Sequence, residues 1–261
     1  MSDRTMTGAK PDPTEFFFFE RKDYDFPYYR GNPVAIGPGG WLIVMASVAL
    51  AFAVLITTQQ MFTSGLARFI PPILFTLIPL TVLAAVAGRS APRALFRRLR
   101  KWDPVMIVGF FVLNFAVTFI LGTLIVKIFH GAQNPAGDIV ANASAVERVL
   151  FFAASLVQLF GEELFTILPF LGFLYFLDRV VGRKTAICIA SLGVGIIFAL
   201  IHLPTYQWNV PQALIGLVPI RIILLFPFLI TRSIWASTGA HVLNDWVIFG
   251  GAALQGSLET G

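Results

Sequence analysis

Charge is what this chain has least of. Asp, Glu, Lys and Arg make up 13% of its 261 residues, about half the share carried by soluble domains. Bases outnumber acids, 19 to 14, for a net charge of +5. That excess does not point to nucleic acid. The bases cluster in short loops beside apolar runs, where they orient helices and meet anionic lipid, and no basic stripe interleaved with aromatics lies on a polar element. Cysteine is nearly absent: Cys188 stands alone, which excludes an internal disulfide, and its apolar setting reads as a small core position. The HExxH pair of a zincin helix is missing. So is a basic n-region directly ahead of a short apolar core. The start, MSDRTMTGAKPDPTE, is polar, and the first apolar run begins only near Trp41, so that run is expected to be a retained helix rather than a cleaved signal.

Apolar residues fill the space that charge leaves. They make up 57% of the chain, and mean hydropathy is +0.79. A helical span needs about 20 mostly apolar residues, and runs of that length fall at about 41–60, 67–88, 104–129, 147–177, 185–203, 212–231 and 233–254. The expected fold class is an all-α polytopic membrane protein, with about seven transmembrane helices in one bundle. The tail 1–40 precedes a transmembrane domain 41–261.

The loop 89–103, RSAPRALFRRLRKWD, and the loop 178–184 hold most of the inter-span bases. By the positive-inside rule both face the cytoplasm, and so does the N-terminal tail. The loops 61–66 and 130–146 then face outward, and the C-terminus ends outside. The expected location is the inner, cytoplasmic membrane of a bacterium. ALFRRLRKW reads either as an amphipathic interfacial stretch or as a solvated linker. The tail segment 15–33, EFFFFERKDYDFPYYRGNP, is too aromatic for an ordinary disordered tail. It suits an interfacial anchor among lipid headgroups, or a dock for a larger membrane complex.

A few ionisable or strongly polar residues sit inside these runs: Glu162, Glu163, His202, Arg221, His241, Asn244 and Asp245. A charge at bilayer depth costs roughly 2.5–3.5 kcal/mol on insertion scales, so each needs a partner or a wet cavity. His241 and Asp245 are four residues apart and share a helical face, with Asn244 beside them. Phe198 and His202 are also four apart, which lets the aromatic ring orient the imidazole. A carboxylate held away from water is a stronger base than one in solution, and paired with imidazole it can activate water. Counting along straight helices places Glu162 near mid-membrane, His241 nearer the cytoplasmic face and His202 near the outer end. Tilt or unequal lengths are needed to unite them.

Three motifs, EELFTIL, FALIHLP and SIWASTGAHVLND, resemble in order and spacing those of the CPBP family of intramembrane proteases. That family holds the CAAX prenyl endopeptidases and the bacteriocin-processing (Abi) proteins. The resemblance covers about residues 147–254. It implies that Glu162 is the catalytic glutamate, Glu163 its supporting partner and His202 a water-positioning histidine. It also implies that His241 and Asp245 form an oxyanion or water-orienting pair, with Phe198 and Asn244 supporting. The implied reaction is hydrolysis of a peptide bond in a membrane-embedded or lipid-modified substrate, by water that glutamate and histidine activate. A metal-dependent account is the family's other reading, and zinc would then be held by Glu162, His202 and His241.

This sequence departs from the motif at one place. Ile167 stands where the family has arginine. Arg221, in LVPIRIIL, is the candidate to supply that charge from a neighbouring helix. The departure motivates an alternative, a pseudoprotease that keeps the fold as a structural or assembly subunit of a larger membrane complex.

Overall fold

The computed structural model describes residues 13–259. The reading of the first dozen residues lies outside them. Among the described residues the secondary structure is helical throughout. The helices are α1 (Pro38–Thr58), α2 (Ile70–Ala87), α3 (Asp103–Phe129), α4 (Pro135–Ala141), α5 (Ala145–Val181), α6 (Arg183–Ile201), α7 (Val218–Thr231) and α8 (Ile234–Glu259). A π-helical stretch, Gln212–Leu217, leads into α7. Six helical segments are long and apolar enough to cross a membrane: Pro38–Thr58, Gly65–Ala87, Asp103–Phe129, Ala145–Val181, Arg183–Ile201 and Gln212–Thr231. The chain is an integral membrane protein.

The seventh expected span is present as α8, but it falls outside those six. Its 26 residues are long enough, and the polar run HVLND lowers its hydropathy. The short α4 lies inside the loop 130–146, where apolar periodicity gives no signal. Asn134 caps it by accepting from the Ala136 amide.

α5 is the axis of the fold. It runs 37 residues, begins at a Ser144 cap and packs against α1, α2, α6 and α8. Its residues 163–172 are buried without a break. Gly161 lets α2 come close, since a Cβ there would stand 2.5 Å from Phe75 Cδ1. α3 lies at the rim, with only 11% of its apolar window buried within the protein. Its polar tie within the bundle's interior is the buried hydrogen bond from Asn114 Nδ2 to Asn244 Oδ1, 3.0 Å, while Asp103 at its start pairs with Arg21 and its last carbonyl, of Phe129, accepts from Asn209.

The tail differs from expectation. Its aromatics do not spread among headgroups. Phe16, Phe26, Tyr28 and Tyr29 are buried against the protein's own helices, and among the four consecutive phenylalanines it is Phe18, 96% exposed, that points away. Polar contacts explain the docking. Glu20 is buried and accepts from Arg183 Nη1 and Nη2 at 2.9 and 2.7 Å, and it pairs with Arg232 as well. Asp25 accepts from Arg183 Nη2 at 2.8 Å. Arg21 pairs with Asp103, and Arg100 with Asp23.

The stretch 91–100 is part of the same cover. Ala91 and Leu95 are buried, Arg97 stacks 3.9 Å over the Tyr24 ring, and Tyr28 donates to the Ala91 carbonyl at 2.7 Å. The bases of these loops therefore spend their charge on the tail's acids as well as on orientation. Cys188 is exposed on α6 rather than a core residue, because its helix turns that face outward.

Candidate active site

Glu162 and Glu163 are neighbours on α5, and successive helical residues point about 100° apart. They therefore meet different surroundings. Glu163 is fully buried. Its Oε1 accepts from Arg221 Nη2 of α7 and lies 2.8 Å from Nδ1 of His241 on α8. Glu162 keeps 15% of its side chain exposed, and Gln158, one turn earlier, donates to its Oε1 at 3.2 Å.

His241 stands between the two glutamates. A carboxylate only accepts, so the Nδ1 hydrogen goes to Glu163. The Arg221 Nη1 group 3.3 Å from the same nitrogen is then a neighbouring charge, not a donor to it. The other ring nitrogen, Nε2, lies 3.8 Å from Glu162 Oε2 and 3.8 Å from Asp245 Oδ2. Asn244 Nδ2 donates to Asp245 Oδ1 at 3.0 Å. One imidazole is thus locked by an ion pair on one edge and offered to two carboxylates on the other.

Arg221 is fully buried, and its guanidinium lies 4.9 Å from the centre of the Phe198 ring. The His202 ring packs on Phe198 with centroids 4.4 Å apart. His202 Nδ1 lies 2.7 Å from the Phe198 carbonyl. A carbonyl cannot donate, so Nδ1 carries the hydrogen, and in the neutral tautomer Nε2 is then the accepting nitrogen.

The structure therefore brings Glu162, Glu163, His241, Asp245, Asn244 and Arg221 into one network. It joins His202 to that network through Phe198, while the hydrogen bond of His202 stays on its own helix. Among the described residues no three His, Cys, Asp or Glu side chains are placed to hold a metal ion together. Glu162, His202 and His241 do not form a ligand set for zinc.

Two contributors were not singled out from the sequence. Gln158 is readable in retrospect as the residue one turn before Glu162. Tyr206 lies in the turn after α6; burial, together with the charges of Asp245 and Glu162, pushes its phenol up to about 12, so it stays protonated beside the acids. No periodicity could place a turn residue there.

Residues 144–247 match the family model described as type II CAAX prenyl endopeptidase Rce1-like. No curated protein and no solved structure matches the chain. The matched stretch begins at the cap of α5, ends two residues beyond Asp245 and takes in every member of the network, leaving out only Asn114, the α3 partner of Asn244. From α5 to α8 the chain is similar to the type II CAAX prenyl endopeptidase Rce1-like family, over somewhat less than half of its length.

Proposed function

We propose that the chain is an intramembrane endopeptidase in which Glu162 activates the attacking water. The observation that carries this reading is the division of labour between adjacent glutamates: Glu163 is committed to Arg221 and His241, while Glu162 is the partly exposed one. A carboxylate whose neighbours leave it free to accept a proton is the one suited to be a general base.

Glu162 takes a proton from water as the oxygen attacks the scissile carbonyl carbon. The carbonyl electrons move to its oxygen, and a tetrahedral intermediate forms. His241, with Nδ1–H held by Glu163, presents Nε2–H to the developing charge. The carboxylates of Glu163 and Asp245 support the imidazolium this requires. Glu162 then passes its proton to the departing amine. His202, accepting through Nε2, holds the water. Arg221 supplies the positive charge that the motif places at position 167, which answers the departure that favoured a non-catalytic subunit. The similarity of residues 144–247 to an endopeptidase family, in a chain that spans the membrane, supports membrane-associated peptide substrates.

The test is cleavage of a membrane-anchored peptide reporter by purified protein in liposomes. Glu162→Gln should lower turnover by at least about 100-fold, the scale of general-base loss, while the melting temperature holds. Full turnover by that variant would overturn the assignment. Absence of cleavage by the unaltered protein, together with stoichiometric co-purification in a complex, would favour the assembly role.

A further inference from the structure

Gln158 is the only carboxamide on α5, set in an apolar run and four residues before Glu162. That spacing puts the two side chains on one helical face. The face is turned toward α8. Ser155, on the same stripe, accepts from Trp246 Nε1 at 3.1 Å, and Glu162 lies beside His241.

The amide is half-buried, and its Nε2 lies 3.2 Å from Glu162 Oε1. A carboxylate has no hydrogen to give, so the amide turns its NH2 end toward it. The other carboxylate oxygen, Oε2, lies 3.8 Å from His241 Nε2, too far for a hydrogen bond. That gap is the informative distance. An acid and an imidazole attract each other strongly where water is scarce, so a Glu162 side chain left free would swing onto the ring. His241 would then be clamped by a glutamate on each edge. The oxygen needed to take a proton from water would be engaged by the histidine instead.

We propose that Gln158 is a positioning residue: by holding Oε1 of Glu162 it keeps Oε2 clear of His241 and open to the attacking water. The inference rests on the proteolytic reading for the water, and on the hydrogen bond and the gap alone for the restraint. The other charged or titratable groups around Glu162 are Glu163 on its own helix, Arg221 on α7, His241 and Asp245 on α8, and Tyr206 in the turn after α6. Glu163 and Arg221 are paired with each other.

Reporter cleavage in liposomes separates positioning from packing. Gln158→Leu keeps much of the side chain's size and loses the donor. Its kcat should fall at least about tenfold, the scale of one hydrogen bond to a charged group, while KM and the melting temperature hold. Gln158→Glu keeps the shape and makes the donor depend on pH. Two carboxyl groups in contact avoid double ionisation and share one proton when pH allows. Lowering pH from about 8 to about 5.5 should return that proton and with it the hydrogen bond, so the ratio of this variant's kcat to the unaltered protein's should rise at least about tenfold. A glutamine that only fills space gives a ratio independent of pH.

Full kcat in Gln158→Leu, a loss confined to KM, or a flat ratio in Gln158→Glu overturns the proposal. If Gln158→Leu does not fold, the Gln158→Glu ratio decides. If the unaltered protein cuts no reporter, the proteolytic reading fails and the restraint is judged by infrared spectroscopy. The Glu162 carboxylate bands, assigned by their loss in Glu162→Gln, should shift in Gln158→Leu and in Gln158→Glu at about pH 8, and unmoved bands overturn the restraint as well.

Discussion

Glu163 and Glu162 are chemically identical, and the protein separates them by what each touches. Removing one partner of a buried ion pair strands the other charge, at a cost of about 3–5 kcal/mol. Arg221→Met should therefore lower the melting temperature in detergent far more than Glu162→Gln does. Glu163→Gln combined with Arg221→Met should be more stable than the Arg221 variant alone, because no charge is left unpaired. Asn114→Ala should be mild by comparison. An interhelical hydrogen bond in a membrane averages about 0.6 kcal/mol, so a small shift in melting with cleavage retained is expected. The acids and histidines were legible in the sequence because ionisable groups are rare at bilayer depth. Arg221 was legible too, as a charge for the pair of acids, but that it falls to Glu163 and leaves Glu162 free of it was not, because that depends on which face α7 turns toward α5.

At the scale of elements, the apolar runs predicted the helices well, since twenty-residue hydropathy is a local property. The α2–α5 contact is a different matter. It needs Gly161 immediately before Glu162, with Phe75 filling the space a side chain would take. Gly161→Val should push the two helices apart, reduce cleavage by an order of magnitude or more and lower the melting temperature. Phe75→Leu in the same chain should recover part of both losses; no recovery would show that the glycine acts through something other than this contact. The spacing of EELFTIL carried no hint of it, because the partner aromatic lies on another helix.

For the molecule as a whole, the tail completes the fold at its basic end. Burial by itself would raise the Glu20 carboxyl, but hydrogen bonds from Arg183 and the Phe17 amide, with the charge of Arg232, hold it below the usual 4.5. A depressed carboxyl contributes stability that is full above 4.5 and disappears as pH falls through the lower, folded value. Protease protection of the tail should persist at pH 5 and fail in stronger acid, and Glu20→Ala should remove the protection at neutral pH too. Hydropathy could show that this segment was unusual, but not what it binds, since its partners are arginines scattered across distant loops. The pairing of Glu20 with Arg232 spans 212 positions. During synthesis the acid emerges well before its last cationic partner, which follows only after α1 to α7. The cluster of charges that seats the tail can therefore close only once α7 has been made, which ties docking of the tail to assembly of the helices that follow it.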